Sequence, residues 1–263
     1  SKKTNIISEK LEEATNSVQL YQRNIKYSLY NIFSLLRDDV NVDNNLLNLS
    51  AFDIDGEIFW NAEMFLVPLL LILNPNYAKV LLDFRFKQME FAKNVALAYK
   101  HKGSQFPYRE NISNYKDVFW APNKPATAFN TGLIGINTWN YYRVSNDNYW
   151  LNEKGFSILQ NCAKYFHSLF DSNYNLVNVN TLSSGNEENN ALTRYLGISV
   201  IKYYIEACYL TGFYVEREIL DLYDNIKNNL VSMKGEVNFA NNIVMPVNIR
   251  IKKNKNQQIE FRN

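Results

Sequence analysis

Residues 65–100 read FLVPLLLILNPNYAKVLLDFRFKQMEFAKNVALAYK, and this stretch decides the fold class. It opens with an apolar run that ends at Asn74-Pro75-Asn76. Because a proline disfavours helical conformation in the residue before it, we predict one helix up to Asn74 and a second from Tyr77 to Lys100. The second has Ala, Leu and Phe on one face and Lys, Arg and Glu on the other. The stretch therefore predicts an αα-hairpin.

The same three- and four-residue spacing of apolar side chains continues on both sides of this hairpin. It predicts further helices at residues 18–37, 131–145, 151–170, 189–211 and 215–233. No internal repeat of fixed short period is visible, which disfavours a short-repeat solenoid. Helix pairs joined by short polar links predict an all-α protein built from helical hairpins.

The last segment has a different pattern. From Glu236 to Phe261, β-branched residues alternate with polar ones, which predicts a short hairpin or an extended tail. We therefore divide the chain into a helical domain, residues 1–235, and a C-terminal β-like segment, residues 236–263. The basic cluster at 250–255 is compatible with an anionic partner or with a solvated terminal extension.

The amino-acid composition favours some classes of protein over others. With 46% hydrophobic and 14% aromatic residues the chain can bury a large core, and 9 Gly and 6 Pro among 263 residues favour helices over turns. The 28 Lys and Arg against 26 Asp and Glu give a net charge of +2, which argues against a nucleic-acid partner. The apolar run at 65–73 is about half of the roughly 20 residues that span a membrane, so we expect core there and no membrane span.

The few cysteines and histidines limit which metal-binding, redox and acid–base chemistry the chain can support. Cys162 and Cys208 are not spaced as a metal knuckle or a redox pair, and the first residues do not resemble a signal peptide. We expect a reduced, cytoplasmic protein without a metal site. Since His101 and His167 are the two histidines of the sequence, acid–base chemistry is expected to belong to carboxylates.

Residues 53–63, DIDGEIFWNAE, combine carboxylates, a glycine and a Phe-Trp pair directly before an apolar helix. Aromatic rings beside carboxylates and amides suit a sugar, whose CH face stacks on a ring while its hydroxyls form hydrogen bonds. A structural alternative is that Asn61 or Asp55 caps the helix, with Trp60 as a hydrophobic staple. Both interpretations stay open on the sequence.

Residues 183–191, SSGNEENNA, form a polar stretch that leads into a predicted helix. Adjacent glutamates at a helix N-terminus are stabilised by the helix dipole, so capping explains them. A general acid instead needs a raised carboxyl pKa, to which repulsion between Glu187 and Glu188 contributes. The catalytic interpretation therefore stays open as well.

The order of these motifs resembles a known family. Residues 56–110 contain GEIFWNAE, an apolar helix, NP, LLDFR and GSQFPYRE. This resembles the GHVFWDTE, apolar helix, NP, LL-x-YR and GA-x-FPWES series of the glycoside hydrolase family 65 catalytic domain. Residues 137–166 resemble its helix with TGD-x-x-FL and A-x-FW, and SGNEENNALTR at 184–194 resembles GPDE, a short loop and NNAYTN. The resemblance covers roughly residues 20–212.

The resemblance implies an (α/α)6 barrel whose two layers of helices surround a sugar cleft. It implies inversion, in which an acid protonates the leaving glycosidic oxygen while phosphate or activated water attacks the opposite face. Glu187 matches the general acid, and Glu188 is the fallback because the loop after it is shortened. The substrate is expected to be an α-glucoside disaccharide, with inorganic phosphate as co-substrate of a phosphorylase and no other cofactor. The expected substrate-binding residues are Phe59, Trp60, Asn61, Glu63 and Tyr108.

The sequence also departs from the family pattern. In GEIFWNAE, Glu57, Asn61 and Ala62 stand where the family has His, Asp and Thr. FPYRE at 106–110 replaces FPWES, and ATAFN at 126–130 has neither the charge nor the imidazole of the family's E-x-H stretch. Polar cleft positions are replaced while scaffold positions are kept, which is what loss of catalysis would look like.

The number of predicted helices is smaller than a complete (α/α)6 barrel requires. We therefore expect an incomplete toroid that needs a missing barrel half or another protein subunit. The sequence leaves two functions open. One is an inverting α-glucoside phosphorylase or glucosidase, and the other is a catalytically inactive pseudoenzyme that serves as a structural or sugar-binding subunit of a larger assembly.

Overall fold

A computed structural model describes residues 2–35, 57–111, 126–177, 179–180, 191–230, 238–239 and 243–244. The chain forms two compact units. One comprises Ser1–Ile58 with Asn111–Lys116, and the other comprises Phe59–Glu110 with Asp117–Asn263. The domain boundary predicted at residue 235 lies outside the described residues and stays a prediction.

The described helices and strands follow one another in this order: α1 Lys2–Leu35, β1 Glu57–Phe59, a π-helical turn π1 at Ala62–Leu66, α2 Val67–Leu73, α3 Pro75–Ala98, β2 Arg109–Asn111, β3 Ala126–Thr127, α4 Phe129–Ser145, α5 Asn148–Trp150, a second π-helical turn π2 at Leu151–Gly155, α6 Phe156–His167, β4 Val179–Asn180, α7 Ala191–Thr211, α8 Arg217–Leu230, β5 Asn238–Phe239 and β6 Ile243–Val244. No described helix is both long and apolar enough to cross a bilayer.

Helix α1 begins at Lys2, well before the predicted start at Val18. The added residues include SEKLEEA, whose Glu, Lys, Leu and Ala are strong helix formers even without an apolar face. Within α1, the side chains of Tyr21, Ile25 and Tyr30 are exposed.

The helix break predicted within residues 65–100 lies at Asn74, as the sequence predicts. Asn74 is extended, with φ −160° and ψ 96°, and separates α2 from α3. Its side-chain oxygen accepts a hydrogen bond from the backbone N–H of Asn76 at 3.2 Å, and Pro75 occupies the first turn. Proline is tolerated there because its missing N–H needs no helical partner. Helices α2 and α3 are therefore joined tightly and run in opposite directions.

Helices α4 and α7 run in the same direction and approach closely. A Cβ atom added at Gly132 would lie 2.6 Å from Leu196, and one added at Gly135 would lie 2.7 Å from Val200. Further along, the rings of Trp139 and Tyr203 stack at 5.6 Å. Since real Cβ atoms do not come so close, the glycines permit this packing distance.

Helices α3 and α6 run opposite to these two. The beginning of α3 meets the residues after α4, where Lys79 Nζ lies 2.9 Å from Asp147 Oδ2. Along α6 and α7, Phe156 contacts Tyr204 while Phe166 packs on Gly197, so these two helices are antiparallel. The parallel pair α4 and α7 thus runs opposite to α3 and α6, which makes this unit an all-α, (α/α)-barrel-like array and confirms the predicted fold class. The incomplete toroid stays a prediction.

Two predicted segments differ in detail. The helix predicted over 151–170 is divided into π2 and α6, and α6 ends at His167. In the C-terminal segment, β5 and β6 pair antiparallel with Asn238 opposite Val244 and Phe239 opposite Ile243. Strands β3 and β4 form a short parallel pair.

Candidate functional site

Trp60 lies at the centre of an aromatic cluster. Its ring stacks on Tyr108 with centroids 6.0 Å apart and an interplanar angle of 29°. The ring of Phe129, at the start of α4, forms a T-shaped contact with Trp60, with centroids 5.8 Å apart and an interplanar angle of 77°. Trp60 and Tyr108 are half-buried, whereas Phe129 is buried. The two stacked rings therefore form a partly exposed platform, which we call the Trp60–Tyr108 platform, with Phe129 packed against it.

Three hydrogen bonds bring the separate chain segments together at this platform. The backbone N–H of Trp60 donates to the Tyr108 carbonyl at 3.0 Å. Asn130 Nδ2 donates to the Pro107 carbonyl at 2.6 Å, and the Phe106 N–H donates to Thr131 Oγ1 at 2.9 Å. The first turn of α4 thus fixes the segment that carries Tyr108.

The position of Asn61 shows whether its side chain caps the following helix, as one interpretation of the sequence predicts. It stands at the N-cap position of π1, yet its side chain makes no capping hydrogen bond and is exposed. The capping alternative is therefore wrong for Asn61, whereas Asp55 lies outside the described residues. The rings of Trp60 and Phe65 lie 6.0 Å apart, at the positions of a hydrophobic staple. The Asn61 amide is consequently exposed beside the platform.

Glu63 lies in π1, three residues after Trp60, and is 1% exposed. Its Oε1 accepts a hydrogen bond from Arg85 Nε at 2.7 Å, and Arg85 Nη1 also donates to Gln88 Oε1 at 2.8 Å. Asn137 Nδ2 donates to the backbone carbonyl of Glu63 at 2.7 Å and contacts its Oε2 at 3.3 Å. Both carboxylate oxygens are thus engaged within the fold. The expectation that Glu63 lines a sugar subsite is untested.

Asn130 and Asn137 were not predicted from the sequence. They lie seven residues apart and therefore face the same side of α4, where both are buried. One contacts the segment that carries Tyr108, and the other contacts the turn that follows Trp60. Two asparagines at this spacing on an otherwise apolar helical face are a signal that could have identified them.

Burial raises the pKa of two groups near Trp60 and Glu63. It raises the pKa of the Tyr108 hydroxyl, with a hydrogen bond involving Trp60 acting in the opposite direction. Burial also raises the pKa of the Cys162 thiol, and the negative charge of Glu63 adds to this effect. Both groups are therefore neutral near pH 7, and Cys162 is not a reactive thiolate.

Several predicted residues lie outside the described part of the chain. These are Glu187, Glu188 and the side chain of Phe59. Their predicted roles stay predictions. Within the described ranges, no group of three or more His, Cys, Asp or Glu side chains could hold a metal ion.

A groove of about 560 Å³ lies elsewhere in the same unit. Both histidines line it, together with Lys164 and Glu216, whose charged groups lie 3.0 Å apart. His101 packs edge-on against Tyr165, and burial lowers the pKa of its imidazole. None of the predicted sugar-binding residues lines this groove.

The described helices of this unit form an (α/α)-barrel-like array with a half-buried aromatic pair next to the start of α4. The model of the glycosyl hydrolase family 65 central catalytic domain matches residues 26–255. The chain belongs to glycosyl hydrolase family 65.

Individual relatives are distant and longer. The chain is 28% identical over 214 residues to a kojibiose hydrolase of Flavobacterium johnsoniae, covering 78% of this chain and 31% of the relative. It is 22% identical over 210 residues to a kojibiose phosphorylase of Halothermothrix orenii, covering 72% of this chain and 26% of the relative. A solved structure titled "Putative kojibiose phosphorylase from human microbiome" matches with a TM-score of 0.54 and 22% identity, covering 68% of this chain and 24% of that one. The chain thus spans less than a third of the length of each of these relatives.

Proposed function

We propose that the chain binds an α-linked glucoside at the Trp60–Tyr108 platform and acts on it by inverting phosphorolysis or hydrolysis. The observation that carries this proposal is the partly exposed stacked pair beside the exposed Asn61 amide. A ring face attracts the CH face of a glucosyl unit, and an amide both donates to and accepts from its hydroxyls. Phe59 is proposed to extend this subsite.

Glu187 is the proposed general acid, with Glu188 as the fallback. The course of the chain supports this assignment, because both glutamates shortly precede Ala191, the first residue of α7. Helices α4 and α7 are parallel neighbours, so their first turns lie at the same end of the helical layer. Phe129, at the start of α4, contacts the platform. A carboxyl from this segment would protonate the leaving oxygen while phosphate or water attacks the opposite face of the sugar.

Binding and turnover test the proposal separately. With kojibiose or nigerose in excess, we expect the midpoint of thermal unfolding to rise, since a ligand of the folded state stabilises it. Trp60→Ala should abolish the rise, whereas Tyr149→Ala, which removes an exposed ring outside the platform, should keep it. Glucose or glucose 1-phosphate release should disappear in Glu187→Gln while binding persists. If the wild-type chain shows neither stabilisation nor release, the proposal is wrong.

A pseudoenzyme that binds sugar without turnover is the second candidate. It is favoured by the neutral amide of Asn61, which cannot form the charge-assisted hydrogen bond that an aspartate gives. In that case, stabilisation by disaccharide depends on Trp60, but neither phosphate nor a protein partner produces turnover.

A further inference from the structure

We propose that Asn137 is a positioning residue for the platform, because it holds the π1 turn that directly follows Trp60 and Asn61. This inference rests on the proposed sugar-binding function. It also gives Glu63 a part inside the scaffold, different from lining a subsite.

The backbone of π1 has an acceptor that its own helix cannot satisfy. The N–H of Val67 donates to the Ala62 carbonyl, five residues earlier. In this register the next N–H, that of residue 68, would donate to the Glu63 carbonyl. Residue 68 is a proline and has no N–H, so this buried acceptor has no partner in its own helix. Asn137 Nδ2 supplies the missing donor at 2.7 Å.

The buried charges beside this acceptor favour a neutral partner. The carboxylate of Glu63 and the guanidinium of Arg85 are both about 1% exposed and neutralise one another across 2.7 Å. Asn137 is 3% exposed and lies 3.3 Å from the remaining carboxylate oxygen. A neutral amide satisfies this oxygen without adding a charge that burial would penalise. Asn137 therefore contacts Glu63 at its backbone and at its side chain.

The π1 turn connects this contact to the platform. Trp60 and Asn61 directly precede π1, so the orientation of that turn sets where both side chains point. Two helical turns earlier on the same face of α4, Asn130 holds Pro107, which precedes Tyr108. One face of one helix therefore fixes both halves of the stacked pair.

The test labels the four tryptophans with 5-fluorotryptophan and assigns the Trp60 ¹⁹F resonance with Trp60→Phe. In Asn137→Ala we expect the Trp60 resonance to move or broaden while that of Trp150 stays in place. Kojibiose affinity should fall by about tenfold, since the variant leaves buried acceptors unpaired near the site. The matched control is Asn161→Ala, which removes another helix-bridging amide, bonded to Ser157 and Met89. It should leave both readouts unchanged.

A second variant tests whether the lost hydrogen bond itself causes the change, because restoring that bond would not reverse a general loss of stability. In Asn137→Ala with Pro68→Ala, residue 68 regains an N–H that can donate to the Glu63 carbonyl. The Trp60 resonance and the affinity should both return toward wild type, and this variant carries the test if Asn137→Ala does not fold. An unchanged Trp60 resonance in Asn137→Ala, or no rescue by Pro68→Ala, overturns the proposal. If the wild-type chain binds no α-glucoside, the proposed function fails, and the resonance in sugar-free protein still decides whether Asn137 positions Trp60.

Discussion

At the scale of single residues, Glu63 and Arg85 form the most deeply buried ion pair among the described side chains. The two residues belong to the GEIFWNAE and LLDFR motifs, which are separated in sequence and held together here by charge and hydrogen bonds. Two buried charges are expensive to desolvate, so such a pair contributes little net stability when intact. Removing one partner is different, because the other remains buried and uncompensated.

Arg85→Leu is therefore expected to lower the free energy of unfolding by about 3–5 kcal/mol. The matched control is Lys93→Ala, which removes an exposed pair with Glu90 and should cost less than about 1 kcal/mol. Urea denaturation of the two variants and the wild type measures the difference. Losses of similar size would contradict the burial argument.

At the scale of elements, Asp147 joins three helices. One carboxylate oxygen accepts from the Trp150 N–H at 2.9 Å and so caps α5. The other meets Lys79 of α3 at 2.9 Å and accepts from the Tyr141 hydroxyl of α4 at 3.2 Å. The hydrogen bond from Trp150, followed by the contact with Lys79, lowers the pKa of this carboxyl.

This lowered pKa predicts an acid dependence of stability. Because the folded pKa of Asp147 lies below the unfolded value of about 3.9, its ionisation stabilises the fold above that value. The contribution is lost as pH falls through the folded pKa. Asp147→Asn keeps a capping oxygen but not the charge, so its stability deficit should be present at pH 7 and shrink below about pH 4. Denaturant unfolding across this range is the measurement, and a deficit that does not change with pH would contradict the prediction.

The helices could be predicted where neighbouring residues in the sequence determine where a helix forms or ends. The break at Asn74 follows from the backbone of the following proline, and the long amphipathic helices follow from apolar spacing. The early start of α1 was missed because propensity without an apolar face leaves no periodic signal. The π-helical turns were missed for a related reason, since periodicity assumes the α-helical repeat.

The site was predictable only in part. Trp60 and Tyr108 stand in recognisable motifs, and the structure stacks them. Asn137 and Glu63 are 74 residues apart in the chain, and no local pattern pairs an amide with a carbonyl that a proline has left without a donor. Such partners follow from tertiary packing.

At the scale of the whole molecule, α2 presents an apolar stripe to solvent. Phe65, Ile72 and Leu73 are exposed along one side of π1 and α2, and Ile72 is 82% exposed. Exposed apolar stripes favour association.

We expect the chain to self-associate as its concentration rises, and Ile72→Ser to reduce this without lowering the thermal unfolding midpoint. Leu70→Ser, which changes a fully buried neighbour, should lower the midpoint because it removes buried apolar side-chain atoms and leaves a cavity in the core. Light scattering and thermal unfolding measure the two effects. A wild-type chain that stays monomeric at every concentration would contradict the expectation.

The π1 turn also sets the angular position of Trp60 relative to α2. In π1 the N–H of Val67 donates to the carbonyl five residues earlier, one residue more than in an α-helix. Since each α-helical residue advances by about 100°, a helical wheel extended back from α2 is out of phase by that angle when it reaches Trp60. Deleting Ala62 is therefore expected to turn the Trp60 ring away from Tyr108.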